Sequence, residues 1–315
     1  MGLWAYWLEP GAWSVELPVV LPVLLSGWLY WSGRRRTAPA GGGGGRRGRG
    51  WRPAAFYAGL AVLLLALESP IDLLSQSLFW MHMIQHMLLL LVAAPLLVAG
   101  APWLPVWQGL PGPVRRWLGP RAAPFLQSGL GRRLGRAATA PLVGLGLFAG
   151  DLWAWHLPVL FDLTLRNELV HHVEHISFVG VGLLYWATVI DSPPLVPRLA
   201  APARIGALFG GILACWVLAI LLAIAPGPLY APYARLADRP GGGSALADQR
   251  LGAGIMWAPS MIPFDIMLTV LVRQWLADED RRGAALNAAR LASGPPERGV
   301  RGGRLAEPGG GGPGA

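Results

Sequence analysis

The sequence predicts an all-α integral membrane protein of seven transmembrane helices, with its N-terminus outside and its C-terminus cytoplasmic. Three observations carry this. Apolar residues make up 54% of the 315 and charged residues only 14%, a balance of membrane-embedded chains. Seven segments approach the roughly 20 apolar residues a helix needs to cross a bilayer. All 26 basic residues are arginine, and they gather between alternate pairs of those segments.

The expected spans are 16–33, 53–70, 77–99, 138–158, 169–190, 205–226 and 251–276. Trp4, Trp7 and Trp13 precede the first as interface anchors. No basic stretch of the signal-peptide kind opens the chain, so no cleavage is expected. Between the first two spans, loop 34–52 holds Arg34–Arg36, a glycine run from Gly41 to Gly45 and four more arginines, the pattern of a flexible basic linker. The second span is short but strongly apolar from Leu60 to Leu67. The stretch Gly100-Ala101-Pro102 reads as a helix end and turn. Pro259, Pro263 and Asp265 make the seventh span irregular, as is tolerated where a helix lines a cavity or packs on protein. Residues 1–277 therefore form one seven-helix domain. Residues 278–315 form a polar, then Gly/Pro-rich, disordered cytoplasmic tail.

Seven spans put alternate loops on opposite sides. One side collects 22 arginines, seven of them from Arg273 onward, and the other side four. The positive-inside rule makes the first side cytoplasmic. A net charge of +9 thus reflects topology, and no aromatic-interleaved basic stripe points to nucleic acid. The single cysteine, Cys215, allows no disulfide within the chain and reads as a small buried hydrophobe.

All six histidines lie in two apolar stretches, 82–86 and 156–175. With alternating spans, each falls near the outer end of its helix. His82 and His86 sit about 7 and 13 Å below the outer end of the third span. His156 closes the fourth, with Asp151 about 7 Å deeper, and His171, His172 and His175 fill the first two turns of the fifth. Ionisable side chains are costly in a bilayer and are functional candidates there by default. His82 and His86, four residues apart, share a helix face. Glu168, His171, His172 and His175 span an arc of about 100°, and Glu174 points about 100° away from His175, as an outer partner of a ligating imidazole would. Imidazole and thioether suit copper. The candidate ligands are His82, His86, His156, His171 and His175, with His172, Met83, Met87, Asp151 and Glu174 as further candidates.

At these residues the chain resembles the CtaG family of membrane proteins, which assist assembly of caa-type cytochrome c oxidases. The motifs are His82-Met83-Ile84-Gln85-His86-Met87-Leu88-Leu89, Ala94-Pro95-Leu96-Leu97, Gly100-Ala101-Pro102, Trp155-His156-Leu157-Pro158, Phe161-Asp162 and His171-His172-Val173-Glu174-His175 with Phe178 and Tyr185-Trp186. Asp248-Gln249-Arg250-Leu251-Gly252-Ala253-Gly254-Ile255-Met256-Trp257 completes the set. The resemblance covers roughly residues 15–277. It implies a seven-span, non-enzymatic assembly factor of the bacterial plasma membrane that helps insert copper into the oxidase. Its partners would be oxidase subunits or another copper chaperone. By position, the family's histidines match His82, His86, His156, His171 and His175; His172 is additional.

Three other functions are open to this sequence. A haem-binding electron-transfer protein would ligate haem through histidines of two helices. A metal-ion transporter would use the broken seventh span and Asp265. A metal hydrolase would exploit His171-His172-Val173-Glu174-His175, which has the order of an inverted zincin motif, although HExxH is absent.

Overall fold

A computed structural model describes residues 2–37, 50–138, 140–195 and 200–292. Among them there is no β-strand. The α-helices are α1 Leu17–Thr37, α2 Trp51–Glu68, α3 Pro70–Ser75, α4 Phe79–Met87, α5 Ala94–Ala99, α6 Trp103–Gly109, α7 Gly112–Gln127, α8 Gly129–Ala138, α9 Pro141–Trp155, α10 Pro158–Thr164, α11 Glu168–Val189, α12 Ala201–Ile224, α13 Ala231–Ala234, α14 Ala245–Trp257 and α15 Met261–Ala292. A π-helical segment, Leu88–Ala93, joins α4 to α5.

Every expected span contains helix, but fewer than seven helices have the length and apolarity of a membrane crossing. Among the described residues four do: Trp51–Glu68, Phe79–Ala99, Ala201–Ile224 and Ala245–Leu291. A fifth follows if the bent pair Gly129–Ala137 and Pro141–Trp155 is one span. The shortfall has physical causes. α1 ends in three arginines. α9 has 15 residues, about 22 Å of helix against about 30 Å of hydrocarbon. α11 opens on Glu168, His171, His172, Glu174 and His175, which lower its hydropathy. The chemistry-bearing side chains are themselves what make that helix less apolar.

The region expected to be a loop between the third and fourth spans is largely helical, as α6, α7 and α8. α6 lies on α1 through two glycines. A Cβ on Gly33 would stand 1.7 Å from the Pro105 carbonyl oxygen, and one on Gly109 would stand 2.0 Å from that of Leu29. Arg36 closes the contact by donating to the carbonyls of Gln108 and Leu110 at 2.7 and 2.9 Å, at the C-terminus of α6.

The π segment has a local cause. Pro95 lacks the N–H that would continue the ladder, and its ring crowds the preceding turn. Widening the helix over Leu88–Ala93 relieves both demands. Much later in the chain, the seventh expected span breaks at Ala258–Ser260, around Pro259, between α14 and α15.

The chain divides into two units, Met1–Val272 and Arg273–Ala315. The first holds the main core, in which Met83, Phe148, Phe161, Phe178, Trp186, Cys215 and Phe264 are buried. The second, described as far as Ala292, is exposed helix carrying the i,i+3 ion pairs Asp278–Arg281 and Glu279–Arg282. The glycine run 41–45 and the Gly/Pro-rich end beyond 292 lie outside the described residues.

Candidate metal centre

α4 begins at Phe79 with no capping side chain of its own. Asp248 of α14 supplies one from across the fold. Its carboxylate accepts the backbone N–H groups of Phe79 and Trp80, each at 3.0 Å, and Arg239 Nε lies 3.3 Å away. An anion at a helix N-terminus satisfies orphan donors and complements the helix dipole. The two helices approach closely because residue 252 is glycine, where a Cβ would meet the Phe79 ring at 2.5 Å. α4 is thereby fixed with His82, Met83, Gln85 and His86 all fully buried.

α11 starts at Asn167, whose side chain accepts the N–H of Val170 at 3.2 Å. His171, Glu174, His175, Phe178, Gly182 and Tyr185 follow as its buried positions. They repeat at three- and four-residue steps and form one face. That face meets α4 directly.

At the meeting point stands Glu174. Its Oε2 lies 3.6 Å from His82 Nε2 and its Oε1 lies 3.5 Å from His86 Nε2, with all three side chains inaccessible to solvent. His175 completes a group of four whose donor atoms all lie within 4.8 Å of one another. A tetrahedral ion with bonds of about 2.1 Å holds its donors roughly 3.4 Å apart, so the group can close on a metal with small side-chain adjustments. Phe161 and Phe178 wall it, with ring centroids 4.9 Å from His82 and 4.5 Å from His86. The buried Nε2 of His82, both ring nitrogens of His86, His171 Nε2, His175 Nε2 and both oxygens of Glu174 have no hydrogen-bond partner among the described residues.

Hydrogen bonds around the group settle two tautomers. The single proton of Tyr233 Oη goes to the Ser75 carbonyl. His82 Nδ1, 3.0 Å from the same oxygen, must therefore be the donor, and in the neutral ring its Nε2 presents a lone pair towards Glu174. Burial, with Asp248 next in effect, pushes the Tyr233 phenol well above its usual pKa and keeps it neutral. His156 Nδ1 likewise donates to the Leu152 carbonyl at 2.7 Å, which leaves Nε2 facing the Met83 sulfur at 3.3 Å. Outer partners of ligating histidines carry about 10–100-fold in metal affinity. Tyr233→Phe is accordingly expected to weaken metal binding within that range and leave the fold intact, as read by chelator competition; unchanged affinity would remove Tyr233 from the site.

The expected residues divide as follows. His82, His86 and His175 meet at the centre, together with Glu174, which takes a place among the donors rather than behind them. His171 stands beside the centre, its ring 5.2 Å from His82 and 4.1 Å from His175, with Gln76 Nε2 3.5 Å from its Nδ1. His156 lies 5.9 Å from the His86 ring and pairs with Met83. Met87 packs into the hydrophobic core. Asp151 is engaged by Trp155 Nε1 at 3.1 Å and Ser177 Oγ at 3.3 Å. His172 lies apart, 3.6 Å from Glu16 and 3.8 Å from Glu168. Asp265 is exposed. Tyr233, Asp248 and Asp72, which accepts from Gln85 Nε2 at 2.7 Å, support the centre and were not among the sequence-based candidates.

Apolar helices around a buried cluster of three histidines and a glutamate define a membrane protein with a metal-competent core. The chain belongs to the cytochrome c oxidase caa3 assembly factor (CtaG) family, whose model matches residues 28–278. Uncharacterised proteins of Mycobacterium bovis and Mycobacterium tuberculosis are each 32% identical to it over 250 residues, 76% of this chain. One of Mycobacterium leprae is 28% identical over 247 residues, 75% of this chain. The matched region spans only about a third (36%) of the length of those relatives. No solved structure matches the chain.

Proposed function

We propose that this protein binds copper at His82, His86, Glu174 and His175 and makes it available to a caa3-type oxidase during assembly. The observation that carries this reading is the convergence of unpartnered buried donors on one point. A buried polar atom without a partner costs about 1–3 kcal/mol, and six such atoms lie in this one cluster, with His171 Nε2 beside it. A bound cation offsets that cost. Imidazole donors suit copper as well as zinc, iron and nickel, and membership of an oxidase-assembly family favours copper among them. Bound there, the ion would supply exchangeable cargo rather than catalysis.

The chain's own residues would do the rest. Tyr233 holds His82 with its Nε2 lone pair inward. Glu174 brings negative charge that neutral imidazoles lack. The His156–Met83 pair, beside His86, offers one nitrogen and one thioether, a softer donor set for an ion leaving the centre. Phe161 and Phe178 wall the centre with apolar rings against His82 and His86. The exposed position of Asp265 gives transport no inward stepping stone at that residue.

With seven spans and arginine-rich loops inside, the centre would open to the extracytoplasmic side of the bacterial plasma membrane, where it could meet an oxidase subunit or another copper chaperone. The double variant His82→Ala/His86→Ala tests the reading. It is expected to remain in the membrane, to purify without copper by elemental analysis, and to leave the oxidase copper-poor. Full oxidase copper in cells carrying it would refute copper handling at this pair.

A further inference from the structure

We propose that Glu16, Glu168 and His172 form a second, solvent-facing metal site that captures a divalent transition-metal ion and feeds it past Asp72 to the buried centre. The inference rests on the copper reading of that centre. His172 Nε2 lies 3.6 Å from Glu16 Oε2 and 3.8 Å from Glu168 Oε1, and the three donors lie within 4.8 Å of one another. They come from separate parts of the chain, Glu16 just before α1 and the other two in the first turns of α11. The His172 and Glu16 side chains are about a third exposed and Glu168 mostly exposed, so a hydrated ion can reach all three.

A second observation points to a cation here. Glu68, at the end of α2, is only 7% exposed. Its Oε2 accepts the backbone N–H of Glu16 at 2.9 Å, while its Oε1 is buried with no hydrogen-bond partner. Among the described residues, the ion-pair partner of both Glu16 and Glu168 is His172; nearby Arg166 pairs instead with Asp162 at 3.7 Å. The carboxylates around Glu16 thus lack a matching fixed positive charge. A patch of one sign concentrates counter-ions and raises their on-rates.

Asp72, at the outer end of the path to the centre, adjoins the centre through Gln85. It accepts from Gln85, which lies between His82 and His86 on α4. Burial raises its pKa, the Gln85 hydrogen bond opposes this, Glu16 raises it further, and His82 and His172 lower it. His171, next to His172 in sequence, extends the other way to His82, ring to ring at 5.2 Å. One nitrogen and two carboxylates, open to water, should hold a transition-metal ion more weakly than three buried imidazoles and a carboxylate. Transfer inward is then downhill.

The test is a Cu(II) titration of the purified full-length protein, followed by electron paramagnetic resonance and stopped-flow absorbance. Two signals are expected in the wild type, one coupled to a single nitrogen and one to several. His172→Ala should abolish the first and slow filling of the second by about tenfold or more, with its equilibrium affinity unchanged. Glu16→Gln, close in shape, should slow filling in the same direction and guards against a folding artefact. Wild-type filling rates in both variants, or a single-nitrogen signal that survives His172→Ala, would overturn the proposal and leave the buried copper centre standing. Absence of the several-nitrogen signal in the wild type would overturn both.

Discussion

Glu174→Gln is expected to cut metal affinity by more than about 100-fold, beyond the range of an outer partner, while leaving the metal-free protein at least as stable as wild type. The two halves of that result follow from one geometry. Glu174 faces Nε2 of His82 and of His86 at 3.6 and 3.5 Å, and neither of its oxygens makes a hydrogen bond of normal length among the described residues. Without a cation, an anion in that position is a burden, because burying an unpaired charge is costly. Glutamine removes the charge and brings an amide N–H₂ that can donate to a histidine nitrogen. Destabilisation is the usual outcome of a buried substitution, so a neutral or raised melting temperature with lost metal would identify a residue kept for binding. Chelator competition and thermal unfolding in detergent read the two quantities separately. Metal affinity within tenfold of wild type would show that Glu174 is not a donor, and a large drop in melting temperature would make it structural.

That Glu174 faces inward beside His82, His86 and His175 was legible in the sequence, but not from the histidines alone. An arc centred on Glu168, His171, His172 and His175 puts Glu174 to one side. The buried face of α11 is instead His171, Glu174, His175, Phe178, Gly182 and Tyr185. Extending the helical phase back from the apolar residues Phe178, Gly182 and Tyr185 places Glu174 inward and His172 outward. Apolar positions report the core-facing direction; polar ones report only that something is needed. The likeness to the assembly-factor family was carried by short motifs and holds across residues 28–278.

Helix positions were readable because apolar runs ended at arginines, glycines and prolines. The helicity of α6 to α8 was less so, since Pro102, Pro105, Pro111, Pro113, Pro120 and Pro124 punctuate the region and read as turns. Proline is tolerated in the first turn of a helix, as at the starts of α6 and α7, whereas Pro120 and Pro124 stand inside α7. Nor does spacing reveal Tyr233 or Asp248. Tyr233 meets His82 across 151 residues and Asp248 meets Phe79 across 169. Contacts of that range depend on the packed fold and leave no local periodicity behind.

The second large effect is expected at that long-range contact. Asp248→Ala should cost about 3–5 kcal/mol, the range for breaking a buried ion pair by removing one partner. Asp248 and Arg239 side chains are 4% and 6% exposed, so alanine leaves a buried guanidinium facing no carboxylate. It also leaves the N–H groups of Phe79 and Trp80 without their acceptor. Asp248→Asn keeps one acceptor oxygen and should lose about half as much. The damage should also reach the metal centre. Arg239 donates to the Tyr233 carbonyl, and Tyr233 orients His82, so loosening Arg239 loosens a donor two contacts away. Thermal unfolding in detergent should rank wild type above Asn above Ala, with metal content per folded molecule falling in the same order. An alanine variant that melts with the wild type would mean that α4 finds its cap elsewhere. A variant that melts early yet holds full metal would uncouple Asp248 and Arg239 from the orientation of His82.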